Sequence, residues 1–563
     1  LKGTRLVRNL KGLFELVVER GTLSREIVEC IVEAAEDCAP NTKAIAYIDP
    51  LYAEDDRMLA FNVSEGLSGG VERVALTCEG SRVELLLFDR QLFESDVKGS
   101  ALLELASNKL LLPYVAISGR EYLDHLERLY KQRKIRESLS GLILEHPDLA
   151  HELLIDPRYF VQDGLMRLSH VIPQAGNLVQ LLDGEDSWLL KSYEEAFREL
   201  ASEGLIHLED GYATIDKKLI EKTSRRFPSV HNQFARAQRL FRGFSKLSIG
   251  GTIGLLRLVS PRSSLEVILQ STLKSPDLPN PDKYLHFRTA TGLARLSESV
   301  GLETMVSKIE ASNEARNIEL RRFGSVLNEV YLLRYEIDEA PRTVVVKRYP
   351  NWVSLKWAPL ALWTLGTQNF AVLGRSRMEK ECAAVSYLGR NGIPVPRILE
   401  TSFADRTLIR EYVEGENLAD LIKQIIKGGR LLEHRPDIIG NVGGYVAEVH
   451  KVDATIGDCK AENFIVKDYD SFVALDLEQG GRGGNRAWDL AEFLYFSGHY
   501  ADPLDPLDGI RSIVESFIEG YVKAGGDSNL FSEVSKLKYA KTFTPITLPN
   551  VLYAISQTCR RRK

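Results

Sequence analysis

Little in this sequence marks it for a membrane, a disulfide scaffold or a structural zinc site. Its cysteines, Cys30, Cys38, Cys78, Cys382, Cys459 and Cys559, are scattered over 563 residues. No two have the close, repeated spacing that holds zinc, and no disulfide framework is suggested. The expectation is free thiols in a reducing interior. No apolar run approaches the roughly 18–20 residues needed to cross a bilayer. The opening residues Leu1-Lys2-Gly3-Thr4-Arg5 carry no signal-peptide pattern. These absences point to a cytoplasmic protein with no membrane partner. A formal net charge of -6 excludes a chain-wide basic surface, so any nucleic-acid surface must be local. Internal repeats and low-complexity tracts are also missing.

What is present is ordinary globular composition, 44% hydrophobic and 27% charged, in a chain long enough for three or four units. The pattern predicts a multidomain protein, part α/β and part α+β. Residues 1–150 read as an α/β module. Leu6, Leu10, Leu13, Leu16 and Val17 recur at helical spacing, and residues 44–48 and 83–88 read as buried strands. A helical stretch follows from Ala101 to about Gly141, broken near Pro113 and Gly119. Residues 151–273 read as a helical region that resembles a winged helix. There a helix through Tyr193–Leu200 stops at Gly204, and a hairpin turns at Asp210-Gly211. A basic, aromatic-bearing segment follows at 217–246, from Lys217 and Lys218 to Lys246. It reads either as a solvated helix face or as an RNA or DNA contact. Prolines 276, 279 and 281 mark a linker, so 274–314 is taken as linker and connector helix.

Beyond the linker, residues 315–563 order a set of chemical groups. Thr343-Val344-Val345-Val346-Lys347-Arg348 is a β-branched strand with a lysine at its exit, and Glu381 lies on the helix that follows. Leu408 to Gly415 is a strand leaving into a polar helix start. Then come Gly457-Asp458-Cys459-Lys460-Ala461-Glu462-Asn463 and, after an apolar strand, Asp476-Leu477-Glu478. Phosphoryl transfer asks for these types. A lysine holds phosphate oxygens and a glutamate aims it, Asp and Asn offer the hard oxygens that Mg²⁺ prefers, and a further Asp orients the attacking hydroxyl.

These residues resemble the protein-kinase-like superfamily, nearest to the small atypical kinases of the Bud32 and RIO type and to aminoglycoside phosphotransferases. Asp458 to Asn463 is similar to the kinase catalytic loop Asp-Leu-Lys-Pro-Glu-Asn at four of six positions. The resemblance implies an ATP- and Mg²⁺-dependent phosphotransferase. In it Asp458 is the base or the residue that orients the hydroxyl, Lys460 steadies the transferring phosphate, and Asn463 and Asp476 hold the metal. Lys347 with Glu381 holds the ATP phosphates, Glu411 and Val413 form the adenine hinge, and Gly324 stands in the phosphate-covering loop. The sequence departs from the pattern at three places. Ile456 replaces the usual His two before Asp458, Asp-Phe-Gly has become Asp476-Leu477-Glu478, and the loop 322–331 keeps one glycine. Only a dozen residues separate Asp476 from Asp489, too few for a regulated peptide-docking segment, so a constitutively formed site is implied.

The acceptor stays open between a protein Ser/Thr, toward which Lys460 leans, and a small-molecule hydroxyl. The competing class is a nucleic-acid-binding scaffold with a nucleotide-sensing pseudokinase. The tail Arg560-Arg561-Arg562-Lys563 resembles that of Bud32 proteins, which act in a tRNA-modifying complex. The first module bears a faint resemblance to nucleotidyltransferases. Asp55, Asp56 and Glu84 are its only candidate carboxylates, and the phosphate-cradling turn is absent, which suggests an inactive relative or coincidence.

Overall fold

In the computed structural model, Ser24 accepts a hydrogen bond from the N–H of Ile27 and so starts helix α1, Arg25–Cys38. The structure describes residues 24–39, 41–48, 58–169, 173–183, 188–226, 278–310, 316–323, 329–337, 339–350, 370–428, 437–468 and 471–561. The chain divides into two units, one of residues 1–147 with 155–284, the other of 148–154 with 285–563. Together they make a mixed α/β protein. Among the described residues no helix is long and apolar enough to cross a membrane.

In the first unit, α1 buries Ile27, Val28, Ile31, Val32 and Ala35, a helical stripe laid on a five-stranded sheet. The strands are β1 Thr42–Ile48, β2 Met58–Ser64, β3 Val71–Cys78, β4 Ser81–Asp89 and β5 Tyr114–Ser118. Their order is β3-β4-β2-β1-β5, parallel only between β2 and β4. Helix α2, Arg90–Gly99, follows β4, and α3, Arg120–Glu145, follows β5. The expected helical stretch 101–141 is therefore interrupted by a strand, bracketed by Pro113 and Gly119.

The expectation of free thiols fails at one pair. Cys30 on α1 and Cys78 at the end of β3 form a disulfide with Cα atoms 6.1 Å apart. They are 48 residues apart in sequence, and only the docking of α1 on the sheet brings them together. Of the module's candidate carboxylates, Glu84 pairs with Arg73 at 2.7 Å, while Asp55 and Asp56 lie outside the described residues.

Helix α4, Arg158–Ser169, leads to α5, Glu194–Ser202, and to the hairpin of β6 Ile206–Glu209 and β7 Tyr212–Ile215. Asp210 and Gly211 both take positive φ, 50° and 81°, as a two-residue hairpin turn requires. The helix before this hairpin is acidic, and its charges are engaged within the unit. Arg128 of α3 meets Glu195 at 2.9 Å and Glu199 at 3.2 Å, and Arg136 meets Glu203 at 2.7 Å. Such a helix is ill suited to a phosphate backbone. The next one, α6 Lys217–Arg226, exposes Lys217, Lys218, Lys222 and Arg225. The basic segment beyond residue 226 lies outside the described residues.

The longer stretch of the second unit opens with a hairpin, β8 Leu285–Arg288 and β9 Leu293–Arg295, and helix α7, Leu302–Ile309. An antiparallel sheet follows, built from β10 Arg316–Arg322, β11 Glu329–Ile337, β12 Ala340–Arg348, β13 Ile398–Ser402 and β14 Thr407–Glu411. The order is β10-β11-β12-β14-β13, with α8, Gly374–Arg390, inserted between β12 and β13. A helical lobe completes the unit. It contains α9 Leu418–Gly428, α10 Ile438–Lys451, the hairpin β15 Phe464–Asp468 and β16 Ser471–Ala474, α11 Arg486–Ser497, α12 Leu507–Lys523 and α13 Pro549–Arg561. Helices α10 and α12 touch backbone to backbone. A Cβ on Gly520 would stand 1.8 Å from the Gly440 carbonyl oxygen, and one on Gly443 would stand 2.2 Å from that of Phe517.

Candidate active site

The alternation of β12 decides where Lys347 goes. Val344 and Val346 join a cluster with Met305 and Val306 of α7, so Val345 and Lys347 take the other face of the sheet. Lys347 is 1% exposed. Its Nζ lies 2.6 Å from Glu381 Oε2, 2.8 Å from Asp476 Oδ1 and 3.0 Å from Glu478 Oε2. Burial alone would lower its pKa, but the carboxylates of Asp476, Glu381 and Glu478 outweigh that and hold the ammonium firmly protonated.

Helix α8 presents Glu381 fully buried. The Tyr349 hydroxyl donates to it at 2.7 Å and Arg410 Nη1 at 3.3 Å. Glu379, two residues earlier, turns instead to Arg375 at 2.9 Å. Arg410 also donates to the carbonyl of Leu475, tying β14 to the residue before Asp476. Burial pushes Asp476 up, but the Lys347 ammonium beside it brings its carboxyl below the usual range. Glu478 is pushed up to about 7 by burial and then by Asp476. Its carboxylate also receives Arg377 Nη2 at 3.2 Å.

The loop at Asp458 is held by the helical lobe. Asp489 of α11 accepts the N–H groups of Ile456 at 2.7 Å and Gly457 at 2.8 Å. His450 of α10 lies between the Asp489 carboxylate, at 3.1 Å, and the Tyr521 hydroxyl, at 2.8 Å. The histidine absent at position 456 thus has its anchoring work done by Asp489. Gly457 has φ 78°, and a Cβ there would meet the Gln479 carbonyl oxygen at 2.1 Å, so the turn admits only glycine. Glu492 accepts from the Cys459 N–H at 2.8 Å and from Trp488 Nε1 at 3.0 Å. Burial, and then the Asp458 charge, push its carboxyl up.

Replacing Asp489 with alanine would strand these buried donors at a cost of about 3 kcal/mol. Urea unfolding should show that loss, and an unchanged midpoint would remove Asp489 as the anchor.

Asn463 and Asp476 flank one hairpin, and Asp458 is tied to it through Asn463. Phe464 pairs with Ala474, and the Leu475 N–H reaches the Asn463 carbonyl at 2.8 Å, so Asn463 and Asp476 leave the same end of β15–β16. Asn463 Nδ2 donates to Asp458 Oδ2 at 3.0 Å, and Lys460 Nζ pairs with Asp458 Oδ1 at 2.8 Å. Lys460 is held protonated: Asp458 and then Glu492 outweigh the burial that would lower it. Glu411 ends β14 and pairs with Arg397 at 2.9 Å. Val413 beyond it is buried. Gly324 lies outside the described residues.

Lys347, Glu381 and Asp476 are thus brought together, with Asp458, Lys460 and Asn463 in a second group at the same hairpin. The sequence pattern alone gives no role to Glu478, Arg410, Arg377, His450 and Glu492. A charged residue inside the apolar run Leu408-Ile409-Arg410 was the signal for one of them. The oxygens of Asp476 and the amide carbonyl of Asn463 suit a hard divalent cation. The carboxylates of Glu381, Asp476 and Glu478 also offer oxygens within 4.8 Å of one another.

No protein-family model matches the chain. A curated relative from Thermoplasma volcanium, a probable bifunctional tRNA threonylcarbamoyladenosine biosynthesis protein, is 30% identical over 119 residues, 21% of this chain. The chain spans about a fifth of that relative's length, 20%. Among solved structures, the complex of Rv3197 with erythromycin from Mycobacterium tuberculosis matches 28% of this chain and 44% of that one. Its identity is 16% and its TM-score 0.20, a likeness too loose to bear on fold or function.

Proposed function

We propose that the second unit is an ATP- and Mg²⁺-dependent phosphotransferase of the small atypical protein-kinase type, passing the γ-phosphate to a hydroxyl acceptor. The observation that carries this reading is the ion cluster of buried Lys347 and Glu381 with the partly exposed Asp476, with Asp458 held by Asn463 at the mouth of the same hairpin. Lys347, aimed by Glu381, would hold the α/β oxygens, and Glu411 to Val413 would line the adenine. Asp476 and Asn463 would hold Mg²⁺, which supplies charge neutralisation at the phosphates. Asp458 takes the proton of the acceptor hydroxyl as its oxygen bonds to the γ-phosphorus and the bond to the β-phosphate oxygen breaks, releasing ADP. Lys460 would face the charge on the transferred group.

Backbone pairing of Ala454–Thr455 with Gly481–Arg482 and the start of α11 at Arg486 keep the segment after Asp476 short. That favours a small or pre-positioned acceptor. The relative's name speaks of tRNA threonylcarbamoyladenosine biosynthesis, and a tRNA-linked role would use the exposed basic face of α6.

The test follows label from γ-labelled ATP with Mg²⁺ in wild type and Asp458→Ala. Loss of a positioned base should slow transfer about 10²- to 10³-fold. Equal turnover in both would discard Asp458 as the base. No turnover at all, with Mg-ATP still raising thermal stability, would favour the nucleotide-sensing scaffold.

A further inference from the structure

Residues 148–154 come from the amino-terminal half of the sequence yet belong to the second unit. Leu149, Ala150 and Leu153 are fully buried, so the segment is packed in and not draped over the surface. At its centre Glu152, with a side chain 2% exposed, receives four donor contacts on one carboxylate. Arg390 Nη2 reaches both oxygens at 2.6 and 2.5 Å, Ser386 Oγ donates at 2.9 Å, and Arg482 Nη2 at 2.7 Å.

The donors sit on two elements of the site. Ser386 and Arg390 are on α8, one to three turns beyond Glu381. Arg482 is on the short strand that follows Asp476 and Glu478, and its guanidinium lies 3.9 Å over the ring of Tyr387 on the same helix. Charge-assisted contacts of this kind are short and directional. Each donor alone could be satisfied by water, since Arg390 is 57% and Arg482 29% exposed. What the buried carboxylate adds is a fixed distance between the two elements.

We infer that Glu152 is a positioning residue, which holds α8 and the segment after Asp476 in the register that lets Glu381 meet Lys347. The inference rests on the phosphotransferase reading. With the anchor gone, α8 keeps its sheet-facing contacts but drifts at its carboxy-terminal end. The binding-competent fraction falls, and apparent nucleotide affinity falls in proportion.

The experiment measures Mg-ATP affinity of the full chain, by titration calorimetry at a temperature well below every variant's melting point. Wild type, Glu152→Ala, Arg482→Ala and Arg482→Lys are compared. Both alanine variants should bind about tenfold more weakly, with Arg482→Lys recovering part of the loss. If Glu152→Ala does not fold, the partly exposed Arg482 variants carry the comparison alone. Wild-type affinity in the alanine variants overturns the anchor and leaves the phosphotransferase reading standing. Wild type that binds no Mg-ATP overturns that reading, and the anchor with it.

Discussion

Asp476→Ala should lower phosphate transfer by about a thousandfold while leaving the protein folded. The size of the activity loss follows from the chemistry. Stabilising charge on the transferring group is most of what a phosphotransferase supplies, and removal of one preorganised electrostatic element costs on the order of 10²–10³ in rate. In the proposed site Asp476 has two such duties, holding the metal and steadying Lys347, so the upper end is expected. The fold should survive because Lys347 keeps Glu381 at 2.6 Å and Glu478 at 3.0 Å, and the lost carboxylate was itself 24% exposed. Rates from γ-labelled ATP, set against melting temperatures, separate the two effects. A variant that turns over normally would remove Asp476 from the mechanism.

Lys347→Met reverses that balance, with a large loss of stability even without nucleotide. Three carboxylates converge on this one ammonium, two of them essentially out of water. Deleting one partner of a buried ionic group costs about 3–5 kcal/mol, because the remaining charges stay buried and uncompensated. For a unit of this size that corresponds to a fall of about 10 °C in melting temperature. The sign of the pH dependence is fixed by the same cluster. In wild type the raised Lys347 pKa gives stability that is fully present below the unfolded lysine value and is lost only as pH rises through the folded one.

In the variant Glu478, already pushed up by burial and by Asp476, loses the ammonium that opposed that shift and keeps a folded pKa above its unfolded one. The folded state then binds more protons, so stability rises as pH falls from 8 toward 5. The deficit against wild type should therefore be smaller at pH 5.5 than at pH 8. A deficit that is absent, or equal at both, would mean the cluster is not the ionic knot that its distances describe.

The parts of this architecture that rest on local rules were readable from the residues. The run Val344-Val345-Val346 can only be a buried strand, and its alternation delivers Lys347 to the face opposite α7. The Asp210-Gly211 turn fixes the hairpin β6–β7 without outside help. The spacing from Asp458 to Asn463 and on to Asp476 is that of a loop and one hairpin, and the hairpin's own register closes it. What was not readable depends on contacts between distant segments. Strands β2 and β3 are not marked by the residues alone: Val71–Cys78 alternates between half-buried and exposed positions, so neither face is the fully apolar stripe that announces a core strand. In the sequence Glu478 only replaces a glycine of the pattern, and its meaning as a third carboxylate on Lys347 appears when β12 and α8 are placed around it. The Cys30–Cys78 bond and the anchor at Glu152 depend wholly on the docking of one element on another.

The Glu152 contact also bears on how the chain is made. Its partners are 234, 238 and 330 residues further along the sequence. During synthesis the segment leaves the ribosome long before Arg482 exists, and its buried leucines must wait without their final neighbours. Contacts of such separation are slow to form, because the loop entropy is lost before any native contact returns it. The nascent first unit therefore emerges carrying a sticky strap that belongs to a domain not yet translated. Folding of the second unit becomes a late event, completed only when nearly the whole chain is present.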